Sequence, residues 1–251
     1  MLMSIEHLTI KFGSLIAVND VTVNIPKGKV TSLIGPNGAG KTTLLNAISG
    51  VYVPNAGKVV FDGKDITGKK DYQINQAGLA RTYQVINLFR NMSVLENVLV
   101  GMHTRLKSNL FDNIFKTPAE RKEERDAVDR AMNLLDFVNL RSRCNDPAGS
   151  LSYGDQRRLE IVRGLASDPK LILLDEPAAG MNPTEKDELD ALLRKIIDRG
   201  VTVLMIEHDM KLVMGVADFI FVLNYGSKLA EGTPSEIQNN PDVIAAYLGG
   251  E

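Results

Sequence analysis

Apolar residues fall at or near every second position at the start of the chain: Ile5, Leu8 and Ile10, then Val21, Val23 and Ile25. This alternation marks strands with one buried face, because successive side chains of an extended backbone point to opposite sides. Pro26-Lys27-Gly28 reads as a turn. Val30-Thr31-Ser32-Leu33-Ile34 is a short β-rich run that ends in a glycine-rich loop. The next apolar residues, Leu44, Leu45 and Ile48, follow helical spacing, with Gly50 as the stop. Residues 57–61 read as a further strand, closed by the turn Asp62-Gly63.

From about residue 85 the pattern turns helical. Ser93-Val94-Leu95-Glu96, Thr117-Pro118-Ala119-Glu120 and Ser152-Tyr153-Gly154-Asp155 each have the form of a capping box. The second opens a long helix with Val128, Ala131, Leu135 and Val138 on one face; the third opens one with Leu159, Val162 and Ala166 inward. Residues 103–116 follow neither period and read as an irregular insert. After residue 170 strands and helices alternate. Leu171–Leu174 and Val201–Ile206 read as buried runs. Between them Asn182-Pro183-Thr184-Glu185 caps a helix bearing Leu189, Leu192, Leu193 and Ile196, closed by Gly200. Asp218–Leu223 and Lys228–Glu231 form a hairpin around Asn224-Tyr225-Gly226, and Thr233-Pro234-Ser235-Glu236 caps a terminal helix. Buried strands alternating with helices predict an α/β fold whose mostly parallel core sheet is covered on both faces. The expected organisation is one domain over 1–251, a core of 1–84 and 161–251 with an inserted α-helical subdomain at 85–160.

Composition narrows the function classes. With 44% hydrophobic and 24% charged residues, the chain is neither disordered nor low-complexity. Twenty-nine Lys and Arg against 31 Asp and Glu leave a net charge of −2, which does not point to a nucleic-acid partner. Cys144 is the single cysteine, so no internal disulfide forms, in keeping with a reducing cytoplasm. The start lacks the basic and apolar regions expected of a signal peptide. No apolar run approaches the roughly 18 residues of a membrane helix. Work at a membrane is therefore expected only through other subunits.

The candidate chemistry begins at Gly35-Pro36-Asn37-Gly38-Ala39-Gly40-Lys41-Thr42, which fits G-x-x-x-x-G-K-[ST] between a predicted strand and a predicted helix. Glycines let the loop, running on to Thr43, wrap a phosphate, and its backbone N–H groups and the helix N-terminus supply positive potential. Lys41 is expected to bridge the β- and γ-phosphates and Thr42 to offer its hydroxyl to Mg²⁺. Leu171–Leu174 then runs into Asp175-Glu176. Asp175, at the end of a buried strand, is the expected Mg²⁺ carboxylate, and Glu176 the group that polarises a water attacking the γ-phosphate. Together these elements predict a P-loop nucleoside-triphosphate hydrolase with Mg²⁺ at the phosphates.

Leu151-Ser152-Tyr153-Gly154-Asp155-Gln156 resembles the signature motif of ATP-binding-cassette ATPases, whose usual form is Leu-Ser-Gly-Gly-Gln. Tyr153 and Asp155 depart from that form; Ser152 and Gly154, the phosphate-touching positions of the family, are kept. Gln84 resembles the family's glutamine that senses Mg²⁺ and the attacking water, His208 its switch histidine on the γ-phosphate, and Phe12 its adenine-stacking aromatic. Ala179-Gly180-Met181-Asn182 resembles the loop that family members place across a dimer interface. The resemblance implies an N-terminal antiparallel β subdomain beside the core. It also implies a head-to-tail dimer in which the Gly35–Thr43 loop of one subunit faces Ser152 and Gly154 of the other.

Arg81-Thr82-Tyr83-Gln84, the Leu151–Gln156 variant, the 175–183 segment, Glu207-His208-Asp209-Met210, the 103–116 insert and the 246–251 ending are similar to the ATPase subunits of branched-chain amino-acid importers. Urea and amide importers and lipopolysaccharide exporters are related alternatives. A second ATPase subunit (the same chain or a different one), membrane permeases docked near Leu88, Phe89 and Met92, and an external substrate-binding protein are the implied partners. The implied place is the cytoplasmic face of the cell membrane. A soluble non-transport cassette is a poorer match, since the chain carries one cassette and no long heptad array. Glu176 and His208 argue against a regulator that binds ATP without turning it over.

Overall fold

Buried runs and alternating runs build two different sheets. In the computed structural model, which describes residues 1–103 and 118–248, the first is a four-stranded antiparallel sheet. It is formed by β1 (Met3–Phe12), β2 (Leu15–Ile25), β4 (Ala56–Phe61) and β5 (Lys64–Asp65), in the order β2-β1-β4-β5. Met3, Ile5, Leu8 and Ile10 face inward, as do Val21, Val23 and Ile25. The β1–β2 register is irregular between Ile5 and Lys11, where His7 adopts a left-handed backbone, which explains why the alternation is imperfect.

The second sheet has the order β10-β9-β3-β8-β7-β6. Its strands are β3 (Val30–Ile34), β6 (Leu79–Arg81), β7 (Leu171–Asp175), β8 (Thr202–Ile206), β9 (Phe219–Asn224) and β10 (Ser227–Gly232). All its pairs are parallel except β9 with β10. Every residue of β3, β7 and β8 is buried, as expected for strands covered on both faces. Burying one Leu or Ile side chain of these strands is worth about 1.5–3 kcal/mol. Helix α1 (Lys41–Ile48) sends Leu44, Leu45 and Ile48 into a core shared with both sheets. Helix α2 (Asp71–Ala77) adds Ile74.

Chain contacts define two compact units, Met1–Gln84 with Lys170–Glu251, and Val85–Pro169. Both sheets lie in the first. The second contains α3 (Val94–Met102), α4 (Pro118–Phe137) and α5 (Tyr153–Leu165), with Val94, Val98, Ala131, Leu135, Leu159 and Val162 buried. A boundary at 160/161 would cut through α5; the helix is continuous, and the unit ends at Pro169. Residues 104–117, which hold nearly all of the irregular insert and the Thr117 cap, lie outside the described residues, as do 249–251.

The first unit is completed by α6 (Pro183–Asp198), α7 (Met210–Val216), α8 (Pro234–Gln238) and α9 (Pro241–Leu248). Reciprocal capping boxes close at Ser93/Glu96, Asn182/Glu185 and Thr233/Glu236. At Ser152 the box is half made. The Ser152 hydroxyl accepts from the Asp155 N–H, but the Asp155 carboxylate accepts from the Ser152 hydroxyl and from Arg158. Aspartate is one methylene shorter than the usual Glu of such a box. The terminal helix is two helices, α8 and α9, because Pro241 supplies no N–H and disfavours helical backbone at Asn240. Among the described residues no helix is long and apolar enough to cross a membrane.

Candidate functional site

The phosphate loop joins β3 to α1. Its first residue, Gly35, has φ +149°, and a Cβ there would stand 2.1 Å from the Leu223 carbonyl oxygen. Gly40, at φ +98°, would place a Cβ 2.4 Å from the Ala17 carbonyl oxygen. Only glycine fits either place. The β9–β10 turn braces the loop: the Gly226 N–H donates to Ala39 C=O (3.0 Å), and the Asn19 N–H donates to Gly226 C=O (2.7 Å). Gly40 caps α1 without a side-chain acceptor. The first N–H groups of the helix therefore present donors and positive dipole to an anion. The Lys41 ammonium donates to the carbonyls of Gly35 (2.7 Å) and Pro36 (2.9 Å) and is buried. Burial pushes the Lys41 pKa below the usual lysine value, while the carboxylates of Glu176 and Asp175 pull it back.

A cleft of 510 Å³ opens over this loop, lined by Asn37, Gly38, Ala39, Gly40, Lys41, Thr42 and Thr43 together with Phe12, Ile16, Glu176 and His208. Phe12 is 45% exposed and meets the Tyr52 ring edge-on at 5.2 Å, so it belongs to the cleft wall and not to the core. Asp175, the last residue of β7, is buried and accepts from Arg81 Nη2 at 3.2 Å. Glu176 follows in a left-handed backbone conformation, φ +47°. Its Oε2 accepts from Gln84 Nε2 at 2.9 Å, and its Oε1 lies 2.9 Å from His208 Nε2. Gln84, expected to sense the attacking water, and His208, expected on the γ-phosphate, thus both touch Glu176. A non-glycine residue held at positive φ stores strain, which is common where geometry serves chemistry.

One contributor went unassigned in the sequence. Glu207 is 4% exposed. Its Oε1 accepts the Ala178 N–H at 2.7 Å, and its Oε2 accepts the N–H groups of His208 (2.9 Å) and Asp209 (3.2 Å). It therefore fastens the 178–182 loop to the segment carrying His208. No spacing rule reveals this, because three backbone donors from two loops converge only in the fold.

In the helical unit Ser152 is exposed at the α5 N-terminus, and Gly154 is buried in its first turn. Below them the helix holds a buried ion pair, Arg157 Nη1 to Glu160 Oε2 at 2.8 Å. Glu160 also accepts the Asn87 N–H at 3.1 Å, and desolvation raises its pKa above the usual carboxylate value. Asn97 brackets Phe89, accepting its N–H and donating to its C=O, both at 3.0 Å. Phe89 and Met92 are exposed and Leu88 is half-buried.

Thr42, Asp175 and Gln84 offer oxygen donors, the set a hard divalent cation prefers. Among the described residues no three His, Cys, Asp or Glu side chains gather into a metal site, so a cation here needs oxygens from a ligand. A triphosphate supplies them, and the residues present fit Mg²⁺ on that condition.

The "ABC transporter" family model matches residues 18–179, and one for "Branched-chain amino acid ATP-binding cassette transporter" matches residues 227–251. The chain is 49% identical to the high-affinity branched-chain amino acid transport ATP-binding protein BraF of Pseudomonas aeruginosa, over 99% of this chain and 98% of BraF. Among solved structures it resembles the ADP conformation of MJ1267, an ATP-binding cassette of an ABC transporter. The TM-score there is 0.87 with 33% identity, over 100% of this chain and 99% of the other. It also resembles the dimeric post-hydrolysis state of the cassette MJ0796 bound to ADP and Pi, with TM-score 0.77 and 26% identity, over 93% of this chain and 99% of that one. The glycine-locked loop, the carboxylates that close β7 and these whole-chain likenesses agree: the chain belongs to the ABC transporter family and is one of its ATPase subunits.

Proposed function

We infer that this chain binds and hydrolyses ATP to drive the uptake of branched-chain amino acids through membrane permeases. The observation that carries the ATPase reading is the single cleft lined by Lys41, Glu176 and His208. The cargo follows from the relatives, since the cleft contacts ATP and not the transported molecule. A urea or amide importer and a lipopolysaccharide exporter share this machinery.

In this reading Phe12 stacks on adenine, and the 35–43 loop wraps the phosphates with its backbone N–H groups. Lys41 exchanges its hold on the Gly35 and Pro36 carbonyls for the β- and γ-phosphate oxygens. Thr42 and Asp175 hold Mg²⁺, assisted by Gln84; the bound cation withdraws charge from the phosphates. Glu176 orients and deprotonates the attacking water, and His208 holds Glu176 and meets the γ-phosphate. Ser152 and Gly154 of a second ATPase subunit complete each site, so ATP joins the two subunits and hydrolysis releases them. Ala179-Gly180-Met181-Asn182 spans that interface. Leu88, Phe89 and Met92 receive the permease on the cytoplasmic face of the membrane, and a substrate-binding protein delivers cargo from the other side.

The test is light scattering on the purified Glu176→Gln chain with and without ATP. An ATP-dependent shift from monomer to dimer is expected for a self-pairing subunit. A variant that binds ATP and stays monomeric calls for a different partner ATPase, and one that binds no ATP refutes the reading. Radiolabelled leucine uptake in cells lacking the subunit tests the cargo: restoration by the wild-type chain supports it, and its absence despite normal ATPase activity moves the assignment to another cargo.

A further inference from the structure

We propose that Arg81 is a positioning residue for the cation site: it fixes the Asp175 carboxylate in the orientation that receives a divalent cation and ties it to the helix behind the phosphate loop. This rests on the reading of Asp175 as a cation ligand.

Asp175 is buried at the end of β7, and a buried carboxylate requires a charged or hydrogen-bonding partner. Arg81 supplies one from the end of the neighbouring strand β6, with side chains only 6% and 5% exposed. The other arm of the guanidinium is equally committed. Arg81 Nη1 donates to Asn46 Oδ1 at 2.8 Å and to Ser49 Oγ at 2.6 Å. Ser49 is itself fixed, since its hydroxyl donates to Leu45 C=O at 2.8 Å. The Tyr83 ring, next to Gln84, lies 4.8 Å from the guanidinium carbon. Arg81 Nε is buried with no hydrogen-bond partner among the described residues. A buried donor left unmade shows that the two terminal nitrogens dictate the pose.

One planar cation therefore joins α1, the carboxylate end of β7 and the approach to Gln84. With Oδ2 directed at Arg81, the carboxylate cannot turn without breaking that bond. Loss of a group that orients a ligating side chain typically weakens metal binding about 10–100-fold. A lysine keeps the charge but not the fork, so it restores only part of the hold.

The experiment uses the full chain with a non-hydrolysable ATP analogue. Mn²⁺ affinity is read by electron paramagnetic resonance at saturating analogue, and analogue affinity is read separately in EDTA. Arg81→Met is expected to raise the Mn²⁺ dissociation constant about 10–100-fold while analogue binding in EDTA stays within about twofold, with Arg81→Lys in between. An unchanged or tighter Mn²⁺ affinity overturns the proposal. So does a joint fall of both affinities, which marks a purely structural ion pair. Should Arg81→Met fail to fold, Asn46→Ala combined with Ser49→Ala removes the anchor and keeps the charge. The expected result is weaker Mn²⁺ binding with EDTA affinity preserved, and no change overturns the proposal. A wild-type chain that binds neither analogue nor Mn²⁺ refutes the ATPase reading instead.

Discussion

Glu207→Gln isolates the link between the 178–182 loop and His208. The carboxylate accepts three backbone N–H groups, from Ala178 through one oxygen and from His208 and Asp209 through the other. Glutamine has one accepting oxygen. If it stays with His208 and Asp209, the Ala178 N–H faces an amide NH₂ and is left unmade in a buried place. A buried donor without its partner costs about 1–3 kcal/mol. For a chain of this size that is a melting temperature lower by roughly 2–4 °C per kcal/mol. Turnover is expected to fall further than stability suggests, because His208 is placed by this carboxylate, and an ångström of misplacement can cost about 10²-fold. ATP affinity is expected to hold, since Glu207 does not line the cleft. Thermal melts, phosphate release and nucleotide titration on one preparation read all three. Wild-type melting together with turnover within twofold of wild type would refute the bridging role.

Glu176→Gln is expected to bind ATP normally and lose about 10²–10⁴-fold in phosphate release, the scale of a lost general base; turnover within tenfold of wild type sinks that role. Lys41→Ala is expected to abolish tight ATP binding, and unchanged nucleotide affinity would contradict the phosphate-loop assignment. The pH dependence has a definite sign. The Lys41 pKa is lowered in the empty protein, and phosphate binding raises it, so ATP affinity falls as pH rises from the lowered value toward the raised one, a fall that begins below the titration of an ordinary lysine. Lys41→Arg is expected to flatten that alkaline fall, as isothermal titration across pH would show. Leu173→Ala, in a fully buried strand, is expected to destabilise by about 2–5 kcal/mol in urea denaturation, and a loss below about 1 kcal/mol would place Leu173 outside the packed core.

Much of this architecture is legible in the sequence for physical reasons. The runs Leu171–Leu174 and Val201–Ile206 have no polar alternation, and only a strand covered on both faces tolerates that. The phosphate loop is legible because its glycines answer to backbone collisions, at Gly35 and Gly40, that no side chain survives. Buried charges outside the phosphate loop and the carboxylate end of β7 were not legible. Helical periodicity assigns Arg157 and Glu160 to solvent, yet both are fully buried and paired with each other. Glu207 reads as an ordinary charge after a strand, and its three donors come from segments about thirty residues apart. The Ser152 box has the right letters at the right spacing, and the shorter aspartate turns to the Ser152 hydroxyl and Arg158.

The strand order also sets a timetable. The strand feeding the phosphate loop, β3, lies between β8 and β9, both of which come from the last quarter of the chain. The bonds beside it span long separations: Gly28 to Thr202 across 174 residues and Val30 to Asp218 across 188. At synthesis rates of about 5–20 residues per second, β3 waits roughly 9–35 s on the ribosome before its first neighbour exists. The turn that braces the loop, at Gly226, arrives later still. The nucleotide cleft therefore closes only near the end of translation, and until then a strand that ends fully buried has both edges unpaired. Such non-local pairing folds slowly and leaves the nascent chain exposed to wrong partners. Chaperone demand and sensitivity to C-terminal truncation follow from where in the sequence the neighbours of β3 are encoded.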